Sequence, residues 1–221
     1  MQTQPSPLER SPDDDAALAA RIAHRDERAF ETLMRRHNRM LYRLARSILK
    51  DDDEAEDALQ DAYLAAYGAI ASFRGGARLS TWLARIVINA AYARLRKRPV
   101  SADVVAIRAD VEVPIAEGES AETAAMRAEL RALLMRTIDD LPEPFRTVYV
   151  LRDVEGMDVE ETAECLDLPA ATVRTRAFRA RALLREALAH EIDVATADAF
   201  EFRGARCDRI VASVLARIHN A

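Results

Sequence analysis

Apolar side chains recur at helical spacing wherever this sequence can be read, and that periodicity constrains the fold more than any other feature. Phe30, Leu33, Met34, His37, Leu41, Leu44, Ala45 and Ile48 follow the i, i+3, i+4, i+7 rule for one buried face. Ala55, Ala58, Leu59, Ala62, Ala66 and Ile70 mark a second long helix, begun by the acidic run Asp51, Asp52 and Asp53, whose charge suits a helix amino terminus. Ser80 is expected to cap a third helix that carries Trp82, Leu83, Ile86, Val87, Ala90, Ala91 and Leu95 inward, and Pro99 to stop it. Period-two alternation never lasts long enough for a strand, and 43 alanines among 221 residues favour helix. The expected fold class is therefore all-α.

Between 99 and 121 the periodicity is lost. Asp103, Asp110, Glu112, Glu117 and Glu119 stand there against the lone base Arg108, with Pro114 and Gly118. This reads as a flexible linker between two small helical domains, expected at 16–98 and 122–189, behind a disordered stretch at 1–15. A chain of that length spans roughly 25 Å on average and at most about 80 Å, so it tethers two domains without setting their separation. In the second domain Met126, Leu130, Leu133, Leu134 and Ile138 share one helix, and Pro142 begins another that carries Phe145, Val148, Tyr149 and Leu151. Asp158 with Glu161 forms a capping-box start for a short helix; the turn Asp167-Leu168-Pro169 then leads into a long helix expected at 170–188. A carboxy-terminal extension, 190–221, holds Phe200, Phe202 and the helical set Ile210, Val211, Val214, Leu215 and Ile218. It is expected either to cap the second domain or to dock between domains.

A formal charge of -5, from 32 basic and 37 acidic residues, argues at first against a nucleic-acid binder. Order along the chain reverses that reading. Seven acids and no base occupy 51–61, whereas 62–98 holds seven bases and no acid. The pattern repeats, with seven acids across 153–167 and then five bases without an acid across 169–185. With a Debye length of about 8 Å at physiological salt, acids on another face do not cancel such patches. Nearly every base is arginine, Lys50 and Lys97 being the exceptions, which suits bidentate contact with phosphate.

Enzymatic chemistry has no foothold. Cys165 and Cys207 make no paired spacing, His24, His37, His190 and His219 are scattered, and no phosphate loop, GxSxG or HExxH occurs. No metal or cofactor is expected, and the chain is not expected to be an enzyme. No apolar run approaches the ~18 residues of a membrane span, and the amino terminus lacks the basic start and apolar stretch of a signal peptide. A cytoplasmic protein without membrane insertion is expected.

Two stretches suit DNA. Arg85, Asn89, Tyr92 and Arg96 form one stripe of the third helix, opposite its apolar face. Before it lies the short cationic loop Phe73-Arg74-Gly75-Gly76-Ala77-Arg78, with Trp82 just beyond, a combination fit to capture an unstacked base. Trp82 taken alone also fits core packing. Residues 158–181 read as a helix-turn-helix: Ala163, Leu166, Leu168, Val173, Ala177 and Ala180 seal the two helices, while Arg174, Thr175, Phe178, Arg179 and Arg181 face a major groove. The acidic face bearing Asp57, Gln60 and Asp61 cannot approach phosphates and suits a protein partner. Read on their own, these stretches point to a DNA-binding protein whose acidic face takes a protein partner, and a stand-alone helix-turn-helix regulator stays open at this point.

The residues also carry a family resemblance. Glu54, Asp57, Gln60, Asp61, Tyr63 and Leu64, then Phe73-Arg74-Gly75 and Ser80-Thr81-Trp82-Leu83, then Asn89 and the cluster Arg94, Arg96, Lys97 and Arg98 resemble domain two of the extracytoplasmic-function sigma factors of bacterial RNA polymerase. Leu141-Pro142-Glu143, Arg146, Glu161-Thr162-Ala163 and the run from Thr172 to Arg181 resemble domain four. The resemblance implies that Asp57, Gln60, Asp61, Tyr63 and Leu64 bind the clamp helices of the polymerase's largest subunit. It implies that Phe73, Arg74, Arg78, Ser80, Trp82, Arg85, Asn89, Tyr92, Arg94, Arg96, Lys97 and Arg98 melt and hold the minus-ten promoter element. Thr172, Arg174, Thr175, Phe178, Arg179 and Arg181 would read the minus-35 element near the polymerase flap, and the linker would run toward the RNA exit path. An anti-sigma factor is the expected regulator, and the free chain is expected to be a monomer. Two departures stand out: Ala171 occupies a position where the family commonly has Gly, and Asp167 sits in the turn, where aspartate tolerates the left-handed conformation better than most residues.

Overall fold

The computed structural model describes residues 12–97, 120–199 and 204–219. Among them the chain is all-α, with helices α1 (Pro12–Ala23), α2 (Glu27–Leu49), α3 (Asp52–Ala69), α4 (Leu79–Lys97), α5 (Ala121–Asp139), α6 (Glu143–Tyr149), α7 (Val159–Leu166), α8 (Ala170–Ala199) and α9 (Gly204–His219). Arg98, Phe200, Phe202, the first eleven residues and nearly all of the expected linker lie outside the described residues. Two compact units are present, Met1–Ala182 and Leu183–Ala221.

The core of the first unit follows from the periodicity. Leu33, His37, Leu41, Leu44, Ala45 and Ile48 of α2 are buried, as are Ala55, Ala58, Ala62 and Ala66 of α3 and Leu83, Ala84, Val87 and Ala91 of α4. The alanines let α3 settle closely on its neighbours, where a longer side chain would overpack the seam. Asp51 caps α3 as its acidic run suggests, its carboxylate accepting from the Glu54 amide at 2.9 Å.

Capping of α4 differs from expectation. The helix starts at Leu79, so Ser80 is its second residue and is buried. The acceptor is Asp15, which takes the Leu79 amide at 3.0 Å from 64 residues away. Asp15 belongs to α1, which begins at Pro12, inside the stretch expected to be disordered.

In the second half of this unit Asp158 and Glu161 form the expected capping box, Glu161 N–H donating to Asp158 at 2.7 Å and Asp158 N–H to Glu161 at 3.0 Å. Asp167 ends α7 at φ +52, the left-handed conformation that its side chain tolerates. Val148, Val173 and Ala177 then seal α8 onto the hairpin, with Val159, Ala163, Leu166 and Leu168 around them. Leu151, Met157 and Cys165 do not stay in that small cluster; they join the large core formed by α1 to α4. Both halves thus contribute to one core within this unit. On α5, Met126, Leu130 and Leu134 are exposed, whereas Leu133 and Ile138 are half-buried.

The second unit comprises the end of α8, which runs to Ala199 and well past the expected 188, and the amphipathic α9. Ile210, Val211, Val214, Leu215 and Ile218 of α9 are each about half exposed.

Candidate functional site

Three surfaces carry the residues singled out from the sequence, all within the unit Met1–Ala182. The first is the outer face of α3, where Asp57, Gln60, Asp61 and Leu64 are exposed. Leu64, at 74% exposure, is an apolar knob amid acids, a pairing that favours a protein partner over solvent. Tyr63 departs from this face. Only 7% exposed, it packs edge-on against Phe30, and its hydroxyl donates to Asn38 at 2.8 Å. It is a core residue that supports the surface and does not belong to it; burial also pushes its phenol above the ordinary range.

Arg94 is displaced in the opposite sense. Its guanidinium reaches across to α3 and pairs with Asp61 at 2.6 Å, Asp57 at 3.1 Å and Glu54 at 3.4 Å. The Asp61 hydrogen bond is the largest influence holding Arg94 charged. This basic residue, expected on the minus-ten DNA, therefore lies against the acidic face in this structure. The reason is lateral: α3 and α4 pack side by side, which charge order along the chain does not reveal. Between them runs an open groove lined by Asp61, Ala65, Asn89, Arg94 and Lys97.

The second surface is the loop 73–78 with α4. Arg74 is exposed at its tip beside Gly75, whose φ of +71 calls for glycine. Phe73 and Trp82 meet edge to face with ring centres 5.8 Å apart, both half-buried against the core, so Trp82 combines packing with partial exposure. Ser80 is buried and does not line the surface. Arg85, Asn89, Arg96 and Lys97 are exposed along α4 as the stripe requires. Tyr92, at the edge of that stripe, is covered: its hydroxyl donates to Glu143 of α6 at 2.5 Å. Burial, then the Glu143 carboxylate, raises its phenol.

The third surface is α8. Phe178 stands 67% exposed, and Arg179 lines an open groove with Phe145, Thr172, Thr175 and Arg176. Arg174 pairs with Glu160 at 3.1 Å and Arg181 with Asp153 at 2.8 Å. These exposed pairs are worth ~1 kcal/mol or less, so exchanging the carboxylate for a nucleic acid costs little.

What the sequence did not reveal is the seam joining the second surface to the helix-turn-helix half. Arg146 of α6 is 2% exposed, and its guanidinium donates to the Ser47 carbonyl of α2, to Leu141 at 2.7 Å and to Asp139 at 3.0 Å. Burial lowers its pKa, yet an arginine stays protonated, so three carbonyls solvate a buried cation. Arg46 forks onto Asp139 at 2.8 and 3.1 Å, Arg43 meets Glu155 at 3.1 Å, and Arg78 of the loop meets Glu161 at 3.1 Å. Glu161 thus closes its own capping box with one oxygen and holds Arg78 with the other. A signal for Arg146 existed: a lone arginine among the apolar positions of Phe145, Val148 and Leu151.

Cys165 reports on the same seam. Its thiol is buried and faces the Thr81 carbonyl of α4 at 3.8 Å, and burial pushes it up from 9.0 to about 12. The thiolate is the reactive form, so near pH 8 a shift of that size removes about a thousandfold of reactivity relative to an ordinary cysteine. Iodoacetamide at pH 8 is therefore expected to leave Cys165 unlabelled in the native chain and to label it after denaturation, read by mass spectrometry. No group of three or more His, Cys, Asp or Glu able to hold a metal occurs among the described residues, and none of their helices is long and apolar enough to cross a membrane.

Known proteins are similar to this chain in sequence and fold. The family described as Sigma-70 region 2 matches residues 33–99, and Sigma-70, region 4 matches 131–184. The RNA polymerase sigma-H factor of Pseudomonas aeruginosa is 37% identical over 182 residues, 80% of this chain and 94% of that protein. The ECF RNA polymerase sigma-E factor of Escherichia coli K12 is 37% identical over 173 residues, 76% of this chain and 90% of its own. Among solved structures, CnrH in complex with the cytosolic domain of CnrY matches with a TM-score of 0.58 at 29% identity, over 80% of this chain and 97% of that one. The sigma factor RpoE with the anti-sigma factor NepR from Bartonella quintana matches with a TM-score of 0.57 at 26% identity, over 72% and 96%.

Proposed function

We propose, from the premise that the chain belongs to the extracytoplasmic-function sigma factors, the subunits that direct bacterial RNA polymerase to promoters, that it works by opening. The minus-ten and minus-35 elements lie about 25 base pairs apart by name, roughly 85 Å at about 3.4 Å per step. A compact body of about 180 residues has a radius of gyration near 16 Å, or a diameter of some 40 Å. One such body cannot touch both elements. The observation that carries the proposal is the shared core and the seam of Arg146, Arg46, Tyr92 and Arg78, which region 4 must leave before α8 reaches its element. The segment between the regions, about 80 Å at full stretch, is long enough to permit that.

In the open form Asp57, Gln60, Asp61 and Leu64 meet the polymerase clamp, with Arg94 bracing their carboxylates. Phe73, Arg74, Arg78, Trp82, Arg85, Asn89, Tyr92, Arg96, Lys97 and Arg98 take the minus-ten strand. Thr172, Arg174, Thr175, Phe178, Arg179 and Arg181 read the minus-35 duplex. The chain acts in the cytoplasm, without catalysis and as a monomer when free. The RpoE relative is bound to an anti-sigma factor; an anti-sigma factor acting on this chain would hold the same seam shut.

The test is reconstitution with core RNA polymerase and mapping of transcript starts. Asp61→Ala is expected to weaken core affinity about tenfold, ~1.4 kcal/mol, in fluorescence anisotropy with labelled chain, leaving duplex binding by region 4 unchanged. Tight promoter binding without polymerase, together with no capture by core, would instead support the stand-alone regulator.

A further inference from the structure

The loop 73–78 is held at both ends by a helix outside both family matches. Helix α1 packs through Leu18, Ala19 and Ile22 into the core and touches the turn Ile70–Ser72, which enters the loop, as well as α4, which leaves it. At the exit the first amide of α4, Leu79 N–H, needs an acceptor, and the preceding residue is Arg78, whose side chain cannot supply one. Asp15 supplies it: Oδ2 accepts from Leu79 at 3.0 Å in a buried setting, while Oδ1 faces Arg36 of α2 at 3.8 Å. Arg36 also reaches Asp14 at 3.5 Å. A carboxylate is favoured at this helix start by the peptide dipoles.

We infer that Asp15 is a positioning residue for base recognition: by capping α4 from α1 it fixes where the loop ends and so where Phe73, Arg74 and Trp82 present themselves. Gly75 and Gly76 leave the loop little stiffness of its own, so its geometry is imposed by its anchors. Because α1 packs on α2 and α4, the anchor persists after region 4 departs. The inference rests on the proposed role of this loop at the minus-ten strand.

The experiment mixes the full chain with core RNA polymerase and a pool of short single-stranded DNAs randomised at every position, then sequences the captured strands. The intact chain is expected to enrich strands with at least one sharply preferred base. Asp15→Ala should reduce that preference about tenfold, in line with loss of a helix cap, with core affinity unchanged. Asp15→Asn should restore it, because asparagine caps equally well. Unaltered preference in Asp15→Ala would overturn the inference. So would Asp15→Asn failing as badly as Asp15→Ala, since the charge on Arg36 and not the cap would then matter, and so would an equal loss of core affinity. Should Asp15→Ala not fold, Asp15→Glu displaces the carboxylate by one methylene, and the same loss is expected, its absence counting against the inference. If the intact chain binds core yet enriches no base, the proposed role of the loop fails and this inference with it.

Discussion

Arg146→Ala is expected to open the unit Met1–Ala182 without unfolding its helices. The guanidinium donates across the seam to the buried Ser47 carbonyl of α2, and within the α5–α6 corner to the buried Leu141 carbonyl and the part-buried Asp139 carbonyl. Hydrogen bonds from a charged group contribute ~1.5 to 3 kcal/mol each, and an acceptor left unpaired costs a further ~1 to 3 kcal/mol. Relief of burying the cation offsets much of this. A net shift of about 2 to 4 kcal/mol toward the open form follows, some 30- to 1000-fold in the closed-to-open ratio. Small-angle scattering should show a larger radius of gyration, and Cys165 should become reactive to iodoacetamide as Thr81 moves away. Far-UV circular dichroism separates opening from melting, since helix content stays constant in the first case. Arg146→Lys should fall between, because an ammonium keeps the charge but lacks the planar fork. A compact Arg146→Ala chain with Cys165 still protected would mean that the shared core around Leu151 and Met157 holds the seam by itself.

Arg179→Ala is expected to have the largest effect on promoter choice. Arg179 is exposed on α8 in the groove with Thr172 and Thr175, where an arginine can read a guanine edge with both nitrogens. Losing one bidentate contact costs ~1 to 3 kcal/mol of discrimination at that base pair, about 5- to 150-fold. The measurement is competition between mapped promoters and single-base variants of their minus-35 element in transcription by reconstituted polymerase. Core affinity should not move, because the acidic face of α3 is untouched. Equal weakening at every promoter, with preference retained, would make Arg179 a phosphate contact. A fall in core affinity after Arg179→Ala would mean that the protein face and the DNA face have been assigned the wrong way round.

Much of the candidate site was legible because local chemistry announces itself. The capping box of Asp158 and Glu161, the left-handed Asp167 and the exposed set Arg174, Thr175, Phe178 and Arg179 depend on neighbours within a turn or two. Where the structure departs from expectation, packing by another helix is the cause: Phe30 and Asn38 take Tyr63 inward, Asp15 displaces Ser80 from the cap, and Asp61 draws Arg94 toward the acidic face. Asp15 itself fell in a polar, proline-bearing stretch with no apolar run to mark it, and its partner lies 64 residues on.

Period, caps and charge order are properties of adjacent residues, so the sequence alone determined that this chain is all-α, where most helices begin, and how acidic and basic stretches alternate along it. The seam is another kind of quantity. Arg146 on Ser47, Tyr92 on Glu143 and Arg78 on Glu161 join residues 51 to 99 positions apart. Nothing local specifies such pairs, because they form only once two separately patterned surfaces meet and the gain from shared burial exceeds the entropy of closing the intervening chain. Tertiary structure therefore decided that the loop-and-α4 surface and the helix-turn-helix half share one core, and that the loop 73–78 is anchored by the first helix.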